Sequence, residues 1–237
     1  AEPLPVTVSK FGGVPYLPIG VEAPTDSDGV PMGMIAQINC TELPENPIYP
    51  PTGMVQFWVS TNAGWGIDKE ENHRVIYYPQ LGEANPDAVA TCEDHEREFW
   101  WPIKHECALE FTTLGREIFA PNDSINHPLV EKWNQAYPEQ AITSLFDLED
   151  FEVEEIEEFT GSGDYSRLGG LPDFVQGDPR REYPESSDIR RRTVNLLTIN
   201  SNIGVLWGDC GTANWLIAPD RLAARDFSQV FYEWSCG

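Results

Sequence analysis

The sequence predicts an α+β protein made mainly of antiparallel sheet, with an internal duplication giving two similar sheet-building halves and few short helices. Three observations predict it. A glycine loop occurs twice, as KFGGVPYLPIG at 10–20 and RLGGLPDFVQG at 167–177, with a basic residue, paired glycines, a proline and a final glycine at identical spacing. Each loop is followed by an apolar strand-like segment ending in Ile-Asn, MIAQIN at 34–39 and LLTIN at 196–200. Each of those is followed by a Gly-led strand candidate, GMVQFWV at 53–59 and GTANWLI at 211–217.

The loops come first. Paired glycines with a proline close behind require positive φ or close backbone approach, then an extended exit, so no helix runs through them. VIYYP (75–79), AVATC (88–92), REFWWPI (97–103) and CALEFTTL (107–114) are rich in β-branched and aromatic residues between turn signals and read as further antiparallel strands. One short helix is expected: Asn126 caps it, Pro128 is early in it, Leu129, Trp133 and Ala136 recur at helical spacing, and Pro138 stops it. Between Asp147 and Glu158 eight of twelve residues are acidic, in a pattern that fits neither strict alternation nor a helical stripe. With TGSGDYS (160–166) this stretch reads as a link between halves at about 1–120 and 160–237, the whole chain (1–237) forming a single unit.

Acidic residues number 39 against 15 basic ones, a formal net charge of −24. A field of that sign repels phosphate backbones and anionic membrane surfaces, so nucleic acid and membrane are excluded as expected partners, while a basic protein is attracted at long range. Hydrophobic content of 41% with eight Trp is that of a folded chain rather than an acidic disordered one. No run approaches the ~18–20 apolar residues that cross a bilayer. Five widely spread cysteines, an odd number, favour reduced thiols and a cytoplasmic setting.

These loops and strands resemble the YwqG-like family of uncharacterised bacterial proteins. The similarity lies in Lys10 to Pro18, in the strand Ile35 to Ile38, in Gly53 to Trp58, in the second loop running into Gln-Gly-Asp-Pro-Arg (Gly169 to Arg180), and in the turn Gly208 to Gly211. The acidic stretch before the second loop, and Trp58 where the family has Phe, depart from that pattern. The resemblance implies an α+β, sheet-dominated fold and implies no activity.

Three constellations carry chemistry that the sequence leaves open. Gln176, Asp178 and Arg180, with Asp209 from a later turn and Gln37 from the first half, form a candidate polar site for a small ligand or cation. Asp before Pro and Asp beside Gly are equally standard turn residues. Cys92, His95, His105 and Cys107 have the ligand types of a zinc site, but the one-residue gap in the second pair sets those side chains about 7 Å apart on one strand face. No metal or other cofactor is therefore expected. Trp65, Trp100 and Trp101 lie near turns and are candidates for an exposed interface, since neighbouring strand residues face opposite sides. No P-loop, dinucleotide-binding loop or nucleophile elbow occurs. The expectation is a non-enzymatic acidic binding module, immunity- or antitoxin-like, with a small-molecule- or metal-binding enzyme as the alternative.

Overall fold

The computed structural model describes residues 3–90, 101–113, 128–149, 151–152, 165–202 and 204–237. Strands β1 (Lys10–Phe11), β2 (Gly33–Asn39), β3 (Met54–Val59), β4 (His73–Tyr78) and β5 (Cys107–Ala108) form one antiparallel sheet in the order β4-β3-β2-β1-β5. Strands β6 (Arg167–Leu168), β7 (Val194–Asn200), β8 (Thr212–Ile217) and β9 (Val230–Ser235) form a second, in the order β6-β7-β8-β9. The helices α1 (Pro128–Ala136) and α2 (Pro219–Ala223) are short. The described residues thus form mainly antiparallel sheet with few helices, as the strand signals require.

Register explains the layering. Phe11, Ala36, Phe57 and Val75 are cross-strand partners in one row, and Leu168, Leu197, Trp215 and Tyr232 form the corresponding row of the second sheet. Both rows enter one core, in which the Phe57 and Trp215 rings meet edge to face at 5.5 Å. Each large apolar side chain withdrawn from water there contributes about 1.5–3 kcal/mol. At one margin His73 of β4 packs on Tyr232 at 5.3 Å, and its Nδ1 and Nε2 lie 3.2 and 3.1 Å from the carbonyls of Gly66 and Val230.

The opposite rows are unusual for sheets this deeply covered. Lys10, Gln37 and Gln56 are aligned across the first sheet, and Arg167, Thr198, Asn214 and Glu233 across the second, and all are buried. Loop segments cover them, 12–32 over the first sheet and 169–192 over the second, and loop backbone has no ladder to satisfy its N–H and C=O groups. The aligned amides supply partners. Gln37 Oε1 accepts from Tyr16 N at 2.9 Å, and Gln56 Nε2 donates to Tyr16 O at 2.6 Å and to Gln37 Oε1 at 3.2 Å. In the second sheet Asn214 does both jobs alone, accepting from Asp173 N at 3.0 Å and donating to Asp173 O at 2.7 Å.

Tyr16 and Asp173 occupy the same place in their loops, the sixth residue after Lys10 and Arg167 respectively. Gly12 and Gly13 have φ of 61° and 72°, and Gly169 and Gly170 have 72° and 68°, a region that a side chain makes costly. Each sheet also carries a register shift in its second strand, between Met34 and Ala36 and between Asn195 and Leu197. The carbonyl of each extra residue, Ile35 and Leu196, accepts from the first loop glycine, Gly12 or Gly169.

Several expected elements differ. Residues 88–90 of the proposed strand 88–92 are not strand: Asn85-Pro86-Asp87 starts a turn and leaves Val89 72% exposed. In 97–103 the described part contributes a single bridge, Ile103 to Val205, and within the described part (107–113) of the strand expected over 107–114 only Cys107 and Ala108 are regular. Strand β9 and helix α2 were not anticipated. In β9 the buried carboxyl of Glu233 interrupts an otherwise aromatic segment. The expected helix forms, although its proposed cap, Asn126, lies outside the described residues, and Pro138 begins a 3-10 turn that ends it. Most of the acidic stretch and the remainder of the proposed strands also lie outside them.

Asn214→Ala removes both main-chain partners of Asp173 and is expected to lower unfolding free energy by about 2–4 kcal/mol. Glu139→Ala, at an exposed position, is expected to stay within about 0.5 kcal/mol, and urea titrations of both variants check the contrast.

Candidate functional site

The second glycine loop places Asp178 and Arg180 beneath itself. Asp178 Oδ1 caps the 3-10 turn Pro179–Glu182 by accepting from Arg180 N at 3.0 Å. The same carboxylate takes Arg180 Nε at 2.9 Å and its terminal nitrogen at 2.9 Å, a bidentate pair. The guanidinium also donates to Arg192 O at 2.6 Å and lies 5.3 Å from the Phe174 ring centre. Asp178 is 4% exposed and Arg180 1%. A pair so enclosed satisfies its own charges, which a buried ion pair requires.

Glu233 lies on the same side of the second sheet. Burial is the largest influence on it and pushes its carboxyl up to about 8, opposed by the hydrogen bond from Asn214 and reinforced by the charges of Asp178 and Asp173. Its Oε1 accepts from Asn214 Nδ2 at 3.0 Å, and Asn214 Oδ1 accepts in turn from Thr198 Oγ1 at 2.8 Å. This cluster is a continuous polar network rather than an open pocket. Gln176 is exposed and ties the loop to the end of β9 through the Cys236 carbonyl.

The remaining candidates are dispersed. Gln37 is wholly buried in the first sheet, its Nε2 donating to the carbonyls of Val6 and Val8 at 2.7 Å each, so it does not join Asp178. Asp209 is exposed in the turn after Trp207. Trp65 is 7% exposed and packs on Trp207 and Trp234, with centroids 5.7 and 4.5 Å away, and therefore belongs to the core rather than to an open platform. Trp101 is half-buried against that core, and Trp100 lies outside the described residues. His105 is exposed and Cys107 half-buried in β5, while Cys92 and His95 lie outside the described residues. Among the described residues no group of three or more His, Cys, Asp or Glu side chains is placed to hold a metal ion.

A cleft of about 780 Å³ lies elsewhere, between the β5 and β6 margins. Its walls are held by specific contacts. The buried Lys10 reaches Glu106 at 2.7 Å and so fixes the β5 segment beside β1, and Gly13 leaves the space that Glu106 fills. On the facing wall Asn46 Oδ1 accepts from the main-chain nitrogens of Ile48 and Tyr49 at 3.1 and 2.7 Å, and Tyr49 Oη donates to Leu196 O at 2.9 Å. Ile38, Leu43, Ile48, Leu109, Phe111 and Leu168 give the cleft an apolar interior, with Glu45 and Glu110 among the residues lining it. The sequence offers no local motif for it, because its residues come from segments as far apart as 43–49, 109–113 and 165–170.

The sequence matches the model of a family described as a domain of unknown function, DUF1963, over residues 9–236. The chain belongs to that family. The match runs from the strand before the first glycine loop to the end of β9, so both sheets fall within it. No curated protein matches the chain. Among the described residues of this DUF1963 chain no helix is long and apolar enough to cross a membrane.

For Glu233 the sign of the pH effect follows from a folded-state value near 8 against 4.5 for the free side chain. The folded state holds the proton more tightly, so this group's contribution is fully present below about 4.5 and is lost as pH rises through 8. Glu233→Gln, which keeps the acceptor for Asn214, is expected to gain stability over the parent as pH rises from 5 to 8, by roughly 3–5 kcal/mol at the top of that range. Thermal unfolding of both proteins across that range checks it. Arg180→Ala, which strands the Asp178 carboxylate, is expected to cost about 3–5 kcal/mol at neutral pH in urea titrations.

Proposed function

We propose that this DUF1963 chain is a YwqG-like, non-enzymatic bacterial binding protein whose acidic surface holds a basic protein partner, in the manner of an immunity or antitoxin module. The observation that carries this reading is the division of charge between interior and surface. Lys10, Arg167, Arg180 and Arg192 are buried, Lys10 with Glu106, Arg180 with Asp178, and Arg192 with Glu70 and Asp188. Arg191 and Arg221 are held at the surface by Asp220 and Asp226. The net charge of −24 is therefore presented outward with much of the basic complement already engaged. Such a field accelerates encounter with a positively charged protein and rejects anionic ones.

The rival enzyme reading centres on Asp178 and Arg180, and their enclosure in a bidentate pair weighs against it. Free thiols at Cys40, Cys107, Cys210 and Cys236 support a reducing, cytoplasmic setting. We also propose that the halves of a single unit arose by duplication. Support comes from the matching strand orders, the matching positive-φ glycines and the equivalent register shifts.

Sizing chromatography and calorimetry with a panel of basic proteins test the binding role. The expected result is a saturable complex with one of them at low salt, weakening at least about tenfold at physiological salt. Failure of every basic protein to bind, or equal binding of polylysine and all panel members, would count against a specific partner.

A further inference from the structure

Resting on the reading of a basic partner, we propose that the cleft between the β5 and β6 margins is where that partner docks. It takes an extended peptide segment in which apolar side chains are flanked by lysine or arginine.

The position of the cleft supports an extended occupant. β5 and β6 are the terminal strands of their sheets, each two residues long, and the cleft is lined by the chain running on from β5 (109–113) and by the residues around β6 (165–170). Main-chain groups at a sheet margin are the usual template for an added strand. The volume of about 780 Å³ is within the range of clefts that enclose a ligand, ~300–1,000 Å³, and accommodates buried anchors rather than surface contact alone.

The chemistry of the walls sets the composition of that segment. Leu109, Phe111, Leu168 and Ile48 are each partly exposed toward the cleft and continue the inter-sheet core, so an apolar anchor placed there extends a hydrophobic surface that already exists. Glu45 and Glu110 are exposed at its mouth. Among the cleft's described lining residues the one cation is Arg167, and it is turned inward: its Nε and a terminal nitrogen donate to Leu171 O at 2.9 and 2.7 Å, and its other terminal nitrogen to Tyr165 O at 3.1 Å. The mouth is therefore negative over an apolar floor. A second copy of this chain, at −24, is repelled from such a mouth, as are nucleic acids and anionic lipids. A cationic, apolar segment is the occupant that matches both features.

The test uses the full chain, the double variant E45K/E110K, and three capped synthetic peptides titrated by calorimetry at low salt. The peptides are Lys-Leu-Phe-Leu-Lys, the same with glutamates at both ends, and the same with serines in place of the three apolar residues. Both substituted glutamates are exposed, and an unchanged thermal midpoint establishes that the variant folds. The expected result is saturable binding of the first peptide to the parent chain, at least about tenfold weaker for the double variant and for the serine peptide, with no binding of the glutamate peptide. The groove assignment is overturned if no peptide binds, if the double variant binds as the parent does, or if the serine peptide binds as well as the apolar one. The two proposals fail separately. If a basic protein found in the panel binds parent and E45K/E110K alike, the acidic-surface reading stands and the groove does not. If no basic protein binds the parent chain, the reading beneath both has failed.

Discussion

The fold depends on amide side chains that hold loop backbone against the outer faces of two sheets. Each sheet is covered on both sides, inward by the facing sheet and outward by a loop segment outside the β ladders. A loop in that position would bury main-chain groups with no partner, at a cost of about 1–3 kcal/mol each. Gln37 and Gln56 answer this at Tyr16, and Asn214 answers it at Asp173. The polar rows across otherwise apolar sheets follow from this need. They also explain why the loops begin with paired glycines at positive φ, since the chain must leave β1 or β6 and turn back over its own sheet within a few residues.

One consequence is that buried polarity in this protein is concentrated where the loops seat. The Asn195–Thr198–Asn214–Glu233 network links the four groups by bonds of 2.8 to 3.0 Å, and Asp178 with Arg180 closes the loop a few residues further on. The two sheets differ in how they reach the same end. The first uses long amides from adjacent strands, and the second a short amide with a threonine and a carboxyl around it. The second solution places Glu233 in a setting where burial disfavours its charged form, whereas the partners of Tyr16 in the first are uncharged amides, even though the backbone geometry of the two loops is alike.

Much of the sheet architecture was legible in the sequence, because β-strand signals and glycine turns act locally. The repeated loop frame, the Ile-Asn strands and the Gly-led strands all lie where their patterns put them. The outermost segments were harder to read. β5 is regular for two residues only, although Leu109 still donates its main-chain N–H to Ser9 O at 3.0 Å before the chain runs on along the cleft. β9 has no clear strand signal because a carboxylate at its centre suggests exposure, whereas Glu233 is buried against Asn214. The candidate polar residues were individually visible, but the roles of Gln37 and Arg180 depend on which main-chain atoms come near them, and spacing does not encode that. The cleft was invisible for the same reason: Ile48, Phe111 and Leu168 become neighbours only when both sheets have formed.

The arrangement of charge follows from the same constraint. Sheets covered on both sides leave little interior room for ions, and the ions that are inside come with partners: Lys10 with Glu106, Arg180 with Asp178, Arg192 with Glu70 and Asp188. Lys10 and Arg180 are each matched by one carboxylate and Arg192 by two, so these basic residues do not offset the acidic excess elsewhere on the chain. The Lys10 pair also sets one wall of the cleft, because Glu106 belongs to the segment that enters β5. Stability and the placement of the cleft are thus joined through a single buried ammonium, and the cleft is as fixed in position as the sheet to which that ammonium belongs.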